Sequence, residues 1–256
     1  VRRGVQGYNP LMRYAVISDI HSNLEATDAV LNEIDNRDVG EIICLGDVVG
    51  YNSNPNECAE LINDRKVKCI MGNHDARASG IEEPDNFTYL AKEAILWTRQ
   101  QLQSKNIAFL KNLPRRLHLP AKKLLAVHGS INSTDDYIFS LQDVITNFKF
   151  MEMESAVDIC FFGHTHIQIA YYKNADSIYP VYEKEFTIKD NTRYLINPGS
   201  VGQPRDGDPR APFLIFDSDA KRIEFIRVKY DIGKCLEKIM NAGLPAELAE
   251  RLKAWW

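Results

Sequence analysis

The stretch Tyr14-Ala15-Val16-Ile17-Ser18-Asp19-Ile20-His21 runs from apolar residues directly into a carboxylate and an imidazole. Its first part, residues 14–18, is rich in apolar and β-branched side chains, which predicts a short buried strand. Apolar side chains then recur at helical spacing between residues 24 and 34, and Asn23 is a good N-cap for that helix. A strand followed at once by a helix, with polar residues at the junction, is typical of an α/β unit.

The same order repeats along the next part of the chain. Residues 41–45 are apolar and end at Gly46-Asp47. Residues 55–65 then have a helical pattern, and residues 67–71 form another strand-like run that ends at Gly72-Asn73. Repeated crossovers of this kind predict parallel strands in an α/β sheet.

The remainder of the chain first continues to alternate helices and strands, and after residue 166 the pattern changes to closely spaced strands. Residues 85–112 predict a helical hairpin, and the strands 124–127 and 157–162 flank a helix over 141–150. Strand-like runs at 167–172, 178–186, 193–196, 213–217 and 222–228 follow at short intervals, which indicates antiparallel strands in a second sheet or sheet half. Two helices, 232–240 and 246–256, end the chain.

Polar side chains that can bind metals follow the apolar runs at five places along the chain. These clusters are Asp19-Ile20-His21, Gly46-Asp47, Gly72-Asn73-His74-Asp75, His128-Gly129 and Gly163-His164-Thr165-His166. The carboxyl ends of parallel strands share one edge of a sheet, so these side chains are expected to converge. Imidazole, carboxylate and amide groups together form a metal shell with more ligands than one ion needs, which predicts a two-metal hydrolase.

Each cluster taken alone also has a simpler interpretation. Gly46-Asp47 by itself is typical of a plain turn, and Asp19-x-His21 is found beside ordinary turns as well. In extended chain after a strand, residues two positions apart point to the same side, so Asp19 with His21 and His164 with His166 could each reach one ion. Five of the six histidines lie in the clusters, and the remaining one, His118, is predicted to be unrelated to catalysis.

Composition and charge limit the partners and the cellular compartment. The chain has 256 residues and a formal net charge of −4, and it shows no basic stripe, so long nucleic acid is not expected as a partner. No apolar run is long enough to span a bilayer. The five cysteines have no C-x-x-C spacing, which predicts free thiols in a reducing compartment and a cytoplasmic protein. The oligomeric state stays open.

The N-terminus is expected to stand apart from the rest. The first strand-like pattern begins just after Met12. Residues 1–11 are therefore interpreted as an N-terminal extension or cloning remnant that need not have an ordered structure. Residues 12–256 are expected to form a single domain, because no linker or low-complexity tract interrupts them.

The five clusters, in this order and at this spacing, resemble the signature of the calcineurin-like metallophosphoesterase superfamily. The stretches 18–23, 46–51 and 197–202 are similar to its small prokaryotic branch, and the resemblance covers roughly residues 13–206. It implies an α/β fold, a four-layer α-β-β-α sandwich with two mixed β-sheets. It also implies a phosphoesterase that hydrolyses phosphomono- or phosphodiesters of a small molecule or nucleotide by attack of a metal-bridging hydroxide.

The resemblance also assigns the metal ligands, and the chemistry of those ligands limits the metals. One ion would be held by Asp19, His21, Asp47 and His166, and the other by Asp47, Asn73, His128 and His164, with Asp47 bridging the two. Nitrogen and oxygen donors without thiolate fit Mn, Fe, Co, Ni or Zn, and Mn is favoured for a cytoplasmic enzyme.

Residues outside the ligand set are candidates for catalysis and substrate binding. His74 would give a proton to the leaving oxygen, with Asp75 as its partner. Asn73 and Arg205 are substrate-binding candidates, Arg205 because it lies in a Gly/Pro-rich loop after a strand and could bind phosphate. An ordinary exposed loop arginine is an equally good interpretation, and Arg77 is a weaker candidate of the same kind.

Three other functions remain open at this level. The same fold and metals could serve a phosphoprotein phosphatase or a nuclease, and the acidic charge disfavours the nuclease. A non-catalytic interaction scaffold on this fold is the third alternative. It is disfavoured because all ligand positions and His74 are intact.

Overall fold

The computed structural model describes residues 13–154, 157–175 and 177–253. The described residues form twelve strands: β1 Arg13–Ile17, β2 Glu41–Cys44, β3 Lys68–Cys69, β4 Arg116–Leu119, β5 Leu124–Val127, β6 Ile159–Phe161, β7 Gln168–Asn174, β8 Ser177–Val181, β9 Glu185–Thr187, β10 Arg193–Pro198, β11 Ala211–Asp217 and β12 Arg222–Val228. The described helices are α1 Leu24–Asp35, α2 Pro55–Asp64, α3 Asn73–Ala78, α4 Tyr89–Gln101, α5 Ser104–Lys111, α6 Leu141–Met153, α7 Ile232–Asn241 and α8 Ala246–Lys253.

These strands form two six-stranded sheets that are each part parallel and part antiparallel. The first has the order β3-β2-β1-β11-β12-β9, and the second has the order β4-β5-β6-β10-β7-β8. In the first sheet β1, β2 and β3 are parallel and β11 joins β1 antiparallel. In the second sheet β5, β6 and β10 are parallel and the flanking strands are antiparallel. The late antiparallel strands therefore complete both sheets.

Side-chain alternation along the strands explains the layering. Tyr14 and Val16 of β1 pack between the two sheets, whereas Ala15 and Ile17 pack on the opposite face with the apolar side of α1. In β5 the even-numbered residues face the first sheet and the odd-numbered ones pack under α6. Because both faces of each sheet are covered, the chain forms a four-layer α-β-β-α sandwich, and the predicted fold class is confirmed.

The strands differ from the prediction at two places. The run 178–186 is not one strand: β8 pairs with β7 in the second sheet, and β9 pairs with β12 in the first. Apolar periodicity does not detect the crossing at residues 182–184, because both pieces are strand-like. The strand β4, antiparallel to β5, was not predicted, since its exposed residues alternate only weakly with half-buried leucines.

Residues 1–11 lie outside the described residues, so the expected extension and the single domain over 12–256 stay predictions. None of the described helices is long and apolar enough to cross a membrane.

Candidate metal centre

The predicted ligands meet at the carboxyl ends of five parallel strands. Asp19 and His21 follow β1, and Asp47 follows β2. Asn73 follows β3, His128 follows β5, and His164 and His166 follow β6. All seven side chains are deeply buried, with exposed fractions from 0% to 5%. The structure therefore brings together every residue that the sequence assigned as a metal ligand.

The backbone at the ligands is not extended, contrary to expectation. Five ligands have left-handed φ angles: Asp19 (52°), His21 (48°), Asp47 (53°), His164 (66°) and His166 (61°). Non-glycine residues adopt this conformation at a cost, and such residues cluster at functional sites. The strained turns are held by hydrogen bonds between the loops, since the His164 N–H donates to the Asp19 carboxylate and the His74 N–H donates to Asp47 Oδ1 at 2.8 Å.

The glycines that precede the ligands are required by close packing. A Cβ on Gly72 would lie 2.0 Å from Asp47 Oδ1. A Cβ on Gly163 would lie 2.1 Å from Ser18 Oγ and 2.8 Å from Asp19 Oδ2. Contacts this short are not tolerated, so only glycine allows these loops to approach the carboxylates.

The first group of donor atoms contains Asp19, His21 and His166. The Nε2 atoms of His21 and His166 are 3.0 Å apart, and Asp19 Oδ1 lies 3.3 Å from His166 Nε2 and 3.8 Å from His21 Nε2. Asp47 Oδ2 lies 3.6 Å from His21 Nε2. Separations of this size are those between neighbouring ligands of one transition-metal ion with bonds of about 2.0–2.2 Å.

The second group contains Asp47, His128 and His164, with Asn73 beside them. His128 Nε2 lies 3.3 Å from Asp47 Oδ2 and 3.1 Å from Asn73 Oδ1. The Asn73 amide nitrogen donates to Asp135 Oδ1 at 3.2 Å, which leaves Asn73 Oδ1 directed at His128. Asp47 Oδ2 is buried without a hydrogen-bond partner and lies beside an imidazole of each group. One orphaned carboxylate oxygen is therefore shared by both groups.

Backbone carbonyls orient the four imidazoles. The Nδ1 atoms of His21, His128 and His166 lie 3.3, 2.8 and 2.7 Å from the carbonyl oxygens of Val49, Leu45 and Gln203. His164 instead places Nε2 3.2 Å from the Asp135 carbonyl. A carbonyl only accepts, so these nitrogens carry the proton and the opposite ring nitrogens can bind metal. The donor set of the centre thus fits two transition-metal ions.

Protonation in the metal-free protein follows from burial and from Asp47. Burial lowers the pKa of His164 to about 4 and holds the pKa values of His21 and His166 well below the usual range. Burial also opposes a charge on His128, but the negative charge of the Asp47 carboxylate outweighs it and raises the pKa of His128 to about 10. Three imidazoles are therefore neutral at pH 7, and a proton on His128 neutralises Asp47.

His74 lies beside the first group without the partner that the sequence suggested. Its ring packs against His21, Tyr51 and Phe87, with centroids 4.8, 4.6 and 4.7 Å away. His74 Nδ1 is buried without a hydrogen-bond partner, and burial lowers the pKa of His74 to about 4. Asp75 accepts backbone N–H groups of Val49 and Gly72 at 3.1 and 3.0 Å. Its carboxylate therefore ties two ligand loops together, and its catalytic role stays a prediction.

The predicted phosphate-binding arginines have different surroundings. Arg205 donates to Gln203 Oε1 at 2.9 Å, and its guanidinium lies 5.9 Å from the Tyr51 ring centroid, at the edge of the centre. Arg77 is buried and ion-paired with Glu82 and Asp135, each at 3.1 Å, which favours a structural role. His118 is exposed on β4, away from the centre.

Two residues at the centre carried no clear signal in the sequence. Asp135 binds both Asn73 and Arg77, and its carbonyl oxygen contacts His164. The Tyr137 ring stacks on the His164 ring with centroids 3.9 Å apart. Both lie in the irregular loop between β5 and α6, where neither periodicity nor spacing marks a functional residue.

Comparison with known proteins agrees with the fold and the centre. Residues 12–221 match the family model of the calcineurin-like phosphoesterase superfamily domain. The chain therefore belongs to the calcineurin-like phosphoesterase superfamily, a family of metal-dependent phosphoesterases, as the motifs predicted. Its clustered His and Asp side chains could hold metal ions.

Individual relatives extend over nearly the whole chain. An uncharacterised protein of Methanocaldococcus jannaschii is 42% identical over 240 residues, which cover 93% of this chain and 96% of that protein. A metallophosphoesterase structure from Sphaerobacter thermophilus has a TM-score of 0.80 and 37% identity, and the match covers 96% of this chain and 99% of that one. A hypothetical protein from Pyrococcus horikoshii, 20% identical with a TM-score of 0.78, shares the fold over 94% of this chain and 97% of its own.

Proposed function

We propose that this protein hydrolyses phosphomono- or phosphodiesters of a small molecule or nucleotide with the help of two divalent transition-metal ions. The observation that carries this proposal is the position of Asp47 Oδ2, a buried orphaned oxygen near His21 Nε2 at 3.6 Å and His128 Nε2 at 3.3 Å. A carboxylate oxygen in this position can neutralise a cation in each donor group, which a neutral amide cannot do.

The two ions would be held by the two donor groups. One would take Asp19, His21, Asp47 and His166, and the other would take Asp47, Asn73, His128 and His164. When bound, such a pair of cations supplies an activated water nucleophile and neutralises charge on the phosphoryl oxygens. Mn is the metal we favour, with Fe, Zn, Ni or Co as alternatives, since the donors are imidazole and oxygen without thiolate.

His74 is proposed to donate a proton to the leaving oxygen. Its ring sits at the wall of the centre, and its Nδ1 has no protein partner. Because the pKa of His74 is about 4 in the metal-free protein, this role requires a bound phosphoryl group whose negative charge raises that pKa. Asp75 is proposed to position His74 through the loops that it ties together.

The substrate and compartment follow from charge and thiol state. Arg205 is proposed to bind phosphoryl oxygens, because a guanidinium matches them in a bidentate fashion. A formal net charge of −4 disfavours long nucleic acid as substrate. All five cysteines are buried free thiols, which supports the proposal of a reducing, cytoplasmic location.

Metal-dependent hydrolysis of p-nitrophenyl phosphate and bis-p-nitrophenyl phosphate tests the proposal. The purified protein is stripped with chelator and reconstituted with Mn²⁺, Zn²⁺, Ni²⁺ or Co²⁺. We expect activity only after reconstitution, its loss in Asp47→Ala, and its retention in Asp190→Ala, which removes an exposed aspartate far from the centre. A phosphopeptide and single-stranded DNA test the phosphatase and nuclease alternatives. Absence of hydrolysis with every metal and substrate would contradict the proposal and favour the scaffold alternative.

A further inference from the structure

A cavity of about 290 Å³ opens directly beside the metal centre, and arginines and tyrosines dominate its charge and shape. Its lining includes Tyr51, Tyr137, Arg205 and Arg251, and no carboxylate among the described residues lines it. A cavity lined by two positively charged arginine side chains and by no negatively charged side chain of the described residues is suited to an anionic ligand.

The two tyrosines connect this cavity to the metal centre. The Tyr51 ring centroid lies 4.6 Å from the His21 ring and 4.6 Å from the His74 ring. On the other side, the Tyr137 ring stacks on His164 at 3.9 Å. Both rings therefore line this cavity as well as the pocket that contains His74 and His164.

Both guanidiniums are held near the same aromatic ring. The Cζ atoms of Arg205 and Arg251 each lie 5.9 Å from the Tyr51 ring centroid, a distance at which a cation still interacts with the ring. Both guanidiniums also line the same cavity, so a group with two negative charges in that cavity would be attracted to each of them. Arginine also binds phosphate oxygens in a bidentate manner.

Packing of the last helix explains why Arg251 reaches the cavity. Leu248, Ala249 and Leu252 of α8 belong to one apolar cluster with Tyr51 and Ala91. This packing leaves Arg251 on the flank of the helix that faces the cavity. The helix lies beyond residues 12–221 that match the family domain, so Arg251 is a contribution of the C-terminal segment to the site.

We infer that Arg251 is a specificity-determining residue that binds, with Arg205, a second phosphoryl group of the substrate. The substrate class is then a phosphoester that carries two phosphoryl groups on one sugar or nucleoside scaffold. One phosphoryl group reacts at the metal centre, so this inference rests on the proposed function. The second occupies the cavity, and the two tyrosine rings flank the scaffold between them.

Matched ligand pairs that differ by one phosphoryl group test the inference. The pairs are adenosine 3′,5′-bisphosphate against adenosine 5′-monophosphate, and fructose 1,6-bisphosphate against fructose 6-phosphate. Each ligand is added to the Mn²⁺-loaded protein, and two quantities are measured. The first is the ligand-induced rise in Tm, which needs no turnover, and the second is the inhibition constant against p-nitrophenyl phosphate hydrolysis.

We expect the wild-type protein to prefer the bisphosphate of at least one pair by about tenfold, as for hydrogen bonds to a charged group. Arg251→Ala should remove that preference and leave the monophosphate unchanged. Arg251→Lys should keep part of the bisphosphate preference, because lysine retains the positive charge but lacks the paired N–H donors of the guanidinium. The control Arg116→Ala, which removes an exposed arginine on β4, should behave as wild type. If the protein prefers the bisphosphate in just one of the two ligand pairs, that pair shows whether the scaffold is a nucleoside or a sugar.

Two results would overturn the inference. One is the absence of any bisphosphate preference in the wild-type protein, by Tm and by inhibition. The other is an equal loss of monophosphate and bisphosphate binding in Arg251→Ala. If p-nitrophenyl esters are hydrolysed without such a preference, the inference fails and the proposed function stands. If the preference depends on Arg251 but no ester is hydrolysed, the proposed function fails and the cavity is a bisphosphate-binding site.

Discussion

His21 Nε2 and His166 Nε2 face each other at 3.0 Å inside the buried centre. Both rings place Nδ1 on a backbone carbonyl, so both Nε2 atoms direct a lone pair into the same space. Two acceptors at this distance repel unless a cation lies within reach of both. The pair is therefore arranged for a metal ion and not for a hydrogen bond between the rings.

Metal content should distinguish a bridging carboxylate from an ordinary ligand. Asp47→Ala should reduce the content from about two ions per chain to near zero, since it removes the oxygen shared by both groups. His166→Ala should lower it to about one, because that ring belongs to the first group only. Inductively coupled plasma mass spectrometry of the two reconstituted proteins measures this. Equal loss of a single ion in both variants would show that Asp47 does not bridge.

His74 should matter most when the leaving group is poor. His74→Asn should keep both metals and lower kcat by about 10²–10⁴-fold for alkyl phosphates, which need a proton on the departing oxygen. For p-nitrophenyl esters the loss should be much smaller, because p-nitrophenolate departs without a proton. The kcat values for both substrate types are compared alongside metal content. An equal loss for both types would indicate that His74 binds or orients phosphate, and a lost metal would make it a ligand.

The close approach at Gly163 predicts a steric effect on stability and metal affinity. Gly163→Ala places a Cβ 2.1 Å from Ser18 Oγ and 2.8 Å from Asp19 Oδ2, so it should destabilise the metal-free protein by about 1–3 kcal/mol and weaken metal binding. The matched control is Gly233→Ala, where the nearest atom is Asp231 Oδ1 at 3.4 Å. That variant should be neutral or slightly stabilised. Denaturant unfolding measures the stability of both variants. Equal changes in the free energy of unfolding for Gly163→Ala and Gly233→Ala would refute the steric account.

The stability of the metal-free protein should depend on pH through His128. Burial opposes its charge, but the Asp47 carboxylate raises the pKa of His128 to about 10, above its ordinary 6.5. A histidine with a raised pKa stabilises the fold fully below the unfolded pKa and loses this contribution as pH rises through the folded pKa. We therefore expect Tm in chelator to fall between about pH 6.5 and pH 10, and to fall less in His128→Gln. Parallel Tm profiles for the two proteins would argue against this role of His128.

Convergence of the ligands within each sheet could be predicted because it depends on strand order alone. Asp19 and Asp47 follow the parallel strands β1 and β2 at one edge of the first sheet, and His128 and His164 follow the parallel strands β5 and β6 at one edge of the second. The left-handed conformation of Asp19 could not be predicted, because it is imposed by hydrogen bonds to loops that are distant in sequence. Local residue preferences contain no information about those partners.

The proposed substrate contacts were harder to predict than the candidate metal ligands, because they too depend on contacts between distant parts of the chain. Arg251 follows no motif and reaches the cavity only because α8 packs against Tyr51. Asp135 and Tyr137 likewise contact the centre from a loop whose path is set by tertiary contacts. The switch of the chain from β8 to β9 between the two sheets also depends on pairing partners. Periodicity reports which residues are buried and leaves open what they are buried against.

Anomalous diffraction from crystals grown with Mn²⁺ tests the central claim most directly. We predict two anomalous peaks about 3.5–4 Å apart, one within bonding distance of His21 and His166 and the other of His128 and His164. Asp47 Oδ2 should lie within bonding distance of both peaks. A single peak, or two peaks of which only one contacts Asp47, would contradict a metal pair bridged by this carboxylate.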